Sequence, residues 1–105
     1  MKAFFDKTRG YRSKKILINK VGAGVTVGGS KYGGQETTMR AIHDVLFIHG
    51  MTIIGDGQVG WDAGHHGVCA QRPANEDGFA LGRADILARR MVEVCTATKS
   101  LRTLA

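Results

Sequence analysis

At 105 residues the chain is long enough for one small core and too short for two domains, and its 43% hydrophobic and 23% charged content argues against disorder. No apolar run approaches the roughly 20 residues of a membrane span, and the opening Met1-Lys2-Ala3-Phe4-Phe5-Asp6 lacks the apolar centre of a secretory signal, so a cytoplasmic protein is expected. The net charge of +6 lies wholly within residues 1–20, which carry seven bases and one acid; residues 21–105 are balanced, and no recognition-helix pattern follows the basic arm, so a nucleic-acid partner is not expected.

Residues 1–8 read as a short helical piece ending in a turn at Arg9-Gly10. The run Val21-Gly22-Ala23-Gly24-Val25-Thr26-Val27 is short, apolar and rich in β-branched residues, without strict polar alternation, which predicts a parallel strand buried on both faces. Gly28-Gly29-Ser30-Lys31-Tyr32-Gly33-Gly34 follows as a glycine-rich loop. Gln35-Glu36-Thr37-Thr38 then begins a helix, with Met39, Ile42, Val45, Leu46 and His49 at helical spacing and Gly50 as its stop. Met51-Thr52-Ile53-Ile54-Gly55 reads as a second strand, which makes a βαβ unit.

Residues 56–76 read as a long connection containing Trp61, His65, His66, Cys69 and Pro73; loops of that length are usually functional or disordered. A last helix is predicted from near Asp77 to about Thr98, with Ala84, Leu87, Met91 and Val94 on one stripe and Arg83, Asp85, Arg89, Arg90 and Glu93 flanking it. Residues 99–105 form a tail without pattern. Two strands cannot close a parallel sheet, so either Ile16-Leu17-Ile18 adds a third or partner chains complete it; self-association is expected.

The glycine-rich loop is the main chemical feature. A loop leaving the C-terminal end of a parallel strand and entering a helix lies where open α/β sheets bind ligands, and its glycines let backbone N–H groups approach a planar or anionic ligand. It matches neither G-x-G-x-x-G nor G-x-x-x-x-G-K-[ST]. His65, His66, Cys69 and His43 lack metal-ligand spacing, Cys69 and Cys95 form no C-x-x-C, and Ser30 has no G-x-S-x-G around it, so neither zinc nor serine hydrolysis is supported.

The string Val25-Thr26-Val27-Gly28-Gly29-Ser30-Lys31-Tyr32-Gly33-Gly34-Gln35-Glu36-Thr37-Thr38, followed by Ile48-His49-Gly50-Met51-Thr52-Ile53-Ile54-Gly55, resembles the C-terminal half of the NADPH-dependent FMN reductases and iron-sulfur flavoproteins, flavodoxin-like proteins related to the NAD(P)H:quinone oxidoreductases. The resemblance implies an α/β fold, a partial flavodoxin-like three-layer parallel sheet with a βαβ unit, lacking the N-terminal half that carries the phosphate loop. It implies FMN as cofactor, NADPH as co-substrate, and flavin contacts from Gly28, Gly29, Ser30, Lys31, Tyr32, Gly33 and His49. Backbone donors and a cation near the pyrimidine edge would stabilise an anionic reduced ring, and Tyr32 could shield one ring face.

Two departures bear on function. The 105 residues are expected to hold neither the strand with a Ser/Thr/Gly-rich turn nor a counterpart of the compact cysteine cluster of the iron-sulfur members. The expectation is therefore a single partial domain that binds flavin weakly, self-associates, or pairs with a chain bearing the missing half. His49 reads equally as a helix-capping histidine, and Trp61 as a wall over the flavin edge, a subunit contact or a core anchor. The competing functions are a non-catalytic half-domain that docks without cofactor, and a small polyanion binder using the basic arm.

Overall fold

Every second residue from position 22 to 28 is small: Gly22, Gly24, Thr26 and Gly28. Alternate residues of a strand face opposite sides, and this small face lies under a helix. A Cβ on Gly24 would run into Met39 Sδ and one on Gly22 would meet Met51 and Leu46 within about 3 Å. The other face carries Ala23 and the β-branched Val21, Val25 and Val27.

The computed structural model describes residues 1–57 and 64–103; Trp61 lies outside the described residues. Two short helices, α1 (Lys2–Asp6) and α2 (Arg9–Ser13), precede strands β1 (Val21–Gly22) and β2 (Val25–Gly28). Helix α3 (Gln35–Ile48) leads to β3 (Thr52–Ile53) and β4 (Val68–Gln71), and α4 (Gly78–Ala97) and α5 (Lys99–Thr103) complete the chain. Strand β1 pairs in parallel with β3, Val21 opposite Thr52, and β2 pairs in parallel with β4, Val25 opposite Val68 and Val27 opposite Ala70. The fold is α/β with parallel strands in two small sheets, consistent with a partial flavodoxin-like fold.

Three layers follow from the register. Thr26 turns towards α3, its hydroxyl donating to the Gln35 carbonyl at 3.1 Å. Val68 and Ala70 turn the other way and form the core with Ile54 and with Ala80 and Leu87 of α4, while Val21, Ala23, Ala84, Met91 and Val94 pack around them. Helix α4 thus covers β4 and β1. It does not reach the outer part of β2, where Val25 is 60% and Val27 52% exposed. Burial on both faces therefore holds only for the first half of the predicted strand.

Other expectations are corrected. The single strand over 21–27 is broken at Ala23-Gly24, and its two pieces pair with different strands. The long connection contains β4, a strand whose apolar content is only Val68, Cys69 and Ala70 and which is therefore too short to stand out by pattern. Ile16-Leu17-Ile18 forms turns and supplies no strand; Asn19, at φ +63°, instead donates its backbone N–H to the Gly50 carbonyl. Arg9-Gly10 opens α2 where a turn was expected. The tail begins as a helix, with Arg102 donating to the Cys95 carbonyl at 2.6 Å and to Thr98 Oγ1 at 2.9 Å. Among the described residues no helix is long and apolar enough to cross a membrane.

Candidate functional site

Parallel strands put all their C-terminal ends at one edge, and loops there converge on ligands. Here the loop leaving β2 (residues 29–34) and the segment leaving β4 (residues 72–77) face each other across an open groove of about 1030 Å³, lined among others by Lys31, Tyr32, Gln35, Cys69, Arg72 and Phe79. That volume lies at the upper end of the roughly 300–1,000 Å³ of small-molecule sites.

Gln35 sets the loop. Its buried amide nitrogen donates to the Ser30 carbonyl at 2.6 Å and to the Ala70 carbonyl at 3.3 Å, tying the loop, α3 and β4 together. Gly28 passes so close that a Cβ there would come within 2.6 Å of the Gln35 amide. The Ser30 carbonyl also accepts from the Gly33 amide at 3.2 Å, and Gly34 at φ +92° turns the chain into the helix without a side-chain cap. Amides of the first turn of α3 consequently open onto the groove, carrying the positive end of the helix dipole.

The opposite wall is fixed by Asp77. Its carboxylate accepts from the Gln71 amide at 2.8 Å and the Ala80 amide at 3.0 Å, capping α4, and these two backbone bonds hold its carboxyl below the usual carboxylate range. The segment is pinned to the loop's strand as well, Arg72 donating its amide to the Gly28 carbonyl at 2.8 Å. Two exposed aromatics flank the opening. Tyr32 is 91% exposed with the Lys31 ammonium 5.8 Å from its ring centre, and Phe79 has the Arg83 guanidinium at the same distance. The charged lining is mixed, with Lys31 and Arg72 against Glu36, Glu76 and Asp77.

Of the seven residues expected at the site, Lys31 and Tyr32 line the groove; Gly28, Gly29, Ser30 and Gly33 build the loop that carries them. His49 is not brought to them. It caps the far end of α3, about 20 Å of helix away, at the edge where β3 begins, buried and hydrogen-bonded to Thr8. The long connection expected to be functional contains Cys69, but local pattern does not show that Cys69, Arg72 and Phe79 face the loop, because they meet it only through the fold. Gln35 was legible only as a helix start.

A second cluster lies behind Phe79. Asp56, with no exposed surface, accepts from Arg83 Nε at 2.5 Å and from the His65 amide and Nδ1, both at 2.8 Å. Burial pushes the Asp56 carboxyl up, but the bonds from Arg83 and then His65 outweigh it and hold the group below its ordinary value. The His65 ring stands edge-on to Phe79, with centres 6.1 Å apart. Arg83, expected to flank the apolar stripe of the helix, is a buried ion-pair partner.

The profile of the NADPH-dependent FMN reductases matches residues 1–66. The chain is 39% identical over 95 residues to an iron-sulfur flavoprotein of Methanosarcina thermophila, a match covering 90% of this chain and 47% of that protein. It is 37% identical over 100 residues to an iron-sulfur flavoprotein of Methanocaldococcus jannaschii, covering 94% of this chain and 52% of that one. A shorter match, 46% identical over 55 residues, is to an NAD(P)H dehydrogenase (quinone) of Chromohalobacter salexigens, covering 52% of this chain and 27% of that one. The chain spans about half the length of the iron-sulfur flavoproteins it matches.

Proposed function

The chain belongs to the NADPH-dependent FMN reductase family, and from that premise we propose that it supplies the ring-binding part of an FMN site in an NAD(P)H-dependent oxidoreductase. The observation that carries this reading is the groove at the C-terminal edge of β2 and β4, with its Gln35-anchored loop and its flanking aromatics. The donor set fits a flavin ring. Tyr32 offers an exposed aromatic ring, Lys31 a cation that stands over it, and the first turn of α3 its backbone amides, which together suit a planar ligand that becomes anionic on reduction. Bound FMN would supply the two-electron chemistry, taking a hydride equivalent from a nicotinamide and passing electrons on to an acceptor. The protein's own part is positioning and electrostatics: Gln35 keeps the loop rigid, the aromatics exclude water from the ring faces, and Lys31 stabilises negative charge at the ring edge.

Titration of FMN and of riboflavin, followed by quenching of flavin fluorescence, tests this. Saturable binding of both is expected, weakened about tenfold by Tyr32→Ala through loss of one stacking surface. Absence of saturable binding, or a Tyr32→Ala protein that binds as well as the parent, would overturn it.

A second reading is favoured by one observation. Among the described residues β2 pairs with β4 alone, which leaves its other edge open beside exposed Val25 and Val27. An open edge with an apolar face is a pairing surface. In that reading the chain docks there on a second copy, or on a chain resembling the other half of its relatives, and the docking itself is its role.

A further inference from the structure

Asp56 is a buried carboxylate to which the flavin reading gives no part. The two side chains that donate to its Oδ2, Arg83 through Nε at 2.5 Å and His65 through Nδ1 at 2.8 Å, converge on one aromatic ring. The Arg83 guanidinium stands over Phe79, 5.8 Å from the ring centre, and the His65 ring meets Phe79 at 6.1 Å with their planes at 89°. Phe79 lies in the first turn of α4 and lines the groove; Asp56, His65 and Arg83 are not among the described residues that line it.

A ring that is 62% exposed on a helix surface has little of its own to keep it in one rotamer. Its two neighbours, however, are fixed. The His65 backbone N–H donates to Asp56 Oδ1 at 2.8 Å, and its carbonyl accepts from the Asp56 N–H at 3.4 Å. A carboxylate only accepts, so His65 Nδ1 carries the proton between them, and that bond sets the plane of the imidazole. Gly55 lies so near that a Cβ there would overlap the His65 carbonyl, which leaves this segment no room to shift. Arg83 is one helical turn from Phe79, the spacing at which helical side chains meet, and the buried carboxylate anchors its guanidinium there. Cation-over-ring and edge-to-face contacts are individually weak but directional, so two fixed partners define an orientation that one would not.

We propose that Asp56 is a positioning residue for the groove: through Arg83 and His65 it holds Phe79 as a fixed aromatic wall for a planar ring. The identity of that ring rests on the flavin reading; the holding of Phe79 does not. A wall ordered before the ligand arrives spares binding the cost of immobilising it, and a fixed phenyl face favours a flat ligand over a flexible one.

The test follows the phenylalanine ring carbons of the whole chain by NMR relaxation, with a riboflavin titration beside it; loss of signal in Phe79→Leu assigns the ring. Phe79 is expected to relax as a held ring in the parent, and as freely as the exposed Phe47 in Asp56→Asn. His65→Gln, at a partly exposed position, keeps a donor for Asp56 and removes the ring contact. It should loosen Phe79 in the same direction, and it serves where Asp56→Asn folds poorly. Riboflavin binding should weaken about tenfold in Phe79→Leu and about threefold in Asp56→Asn, and the double variant should bind no worse than Phe79→Leu alone, because the second change acts through the first. Gly24→Ala, a core change away from the groove, should leave both readouts as in the parent. A Phe79 ring as mobile as Phe47 in the parent, a ring that neither variant loosens, or binding losses that add would overturn the proposal. A parent that binds no riboflavin would sink the flavin reading instead, and ring relaxation would then decide the role of Asp56.

Discussion

Arg83 and Asp56 meet in the interior, Nε to Oδ2 at 2.5 Å, one from the second turn of α4 and the other from just beyond β3. Both are buried, and His65 occupies both carboxylate oxygens from the other side. The pair ties the last helix to the strand ends that underlie the groove. Arg83→Met would leave the carboxylate without its strongest partner, and a loss of about 3–5 kcal/mol is expected, read as a lower urea midpoint. Asp56→Asn, which keeps the shape and removes the charge, should lose less.

The pH dependence follows from the same group. A carboxyl whose folded-state affinity for protons is depressed contributes stability above its unfolded value, and that contribution disappears as pH falls through the folded one. Asp56 and Asp77 are both lowered from 3.8, so thermal stability should be level from neutrality down to about pH 4 and fall below it. The acid limb should be shallower in Asp56→Asn and in Asp77→Asn. A parent and variants with superimposable acid limbs would refute the assignment.

Gln35→Leu removes the donor that holds the Ser30 and Ala70 carbonyls while keeping similar bulk. Stability is expected to drop by about 1–3 kcal/mol, since buried carbonyls lose their partner. Flavin quenching should weaken more than the same loss of stability produces elsewhere, because the loop is no longer set for binding. Gly24→Ala is the appropriate comparison: its Cβ would press on Met39 within the core, costing about 1–3 kcal/mol, at a place that does not border the groove.

Val27→Lys addresses the open edge of β2. The position is half exposed, so folding stability should change by no more than about 0.5 kcal/mol. If the edge is a docking surface, sedimentation should show the parent associating with rising concentration and the variant remaining monomeric. Equal sedimentation of the two would remove β2 from consideration as an interface.

Much was legible before any fold. The helical spacing from Met39 to His49 with Gly50 after it, the stripe through Leu87, Met91 and Val94, and Asp77 ahead of the last helix are local patterns, and each marks an observed element. The glycine-rich loop was legible for the same reason, since its composition reports backbone approach directly. The short strand β4, by contrast, carries no periodicity of its own and becomes a strand only by pairing with β2. That this connection forms the far wall of the groove was therefore not legible from it.

The amino-acid order alone determined that the chain is α/β, where its two long helices run, and that a glycine loop after a strand is its main chemical feature, because capping, periodicity and glycine content act over a few residues. Tertiary structure decided what those elements face. It placed Arg72 and Phe79 opposite Lys31 and Tyr32, buried Arg83 against Asp56, and carried His49 to the opposite edge from the loop beside Arg12 and Lys15. Those relationships depend on strand register and helix packing between residues far apart in the chain, which no local pattern encodes.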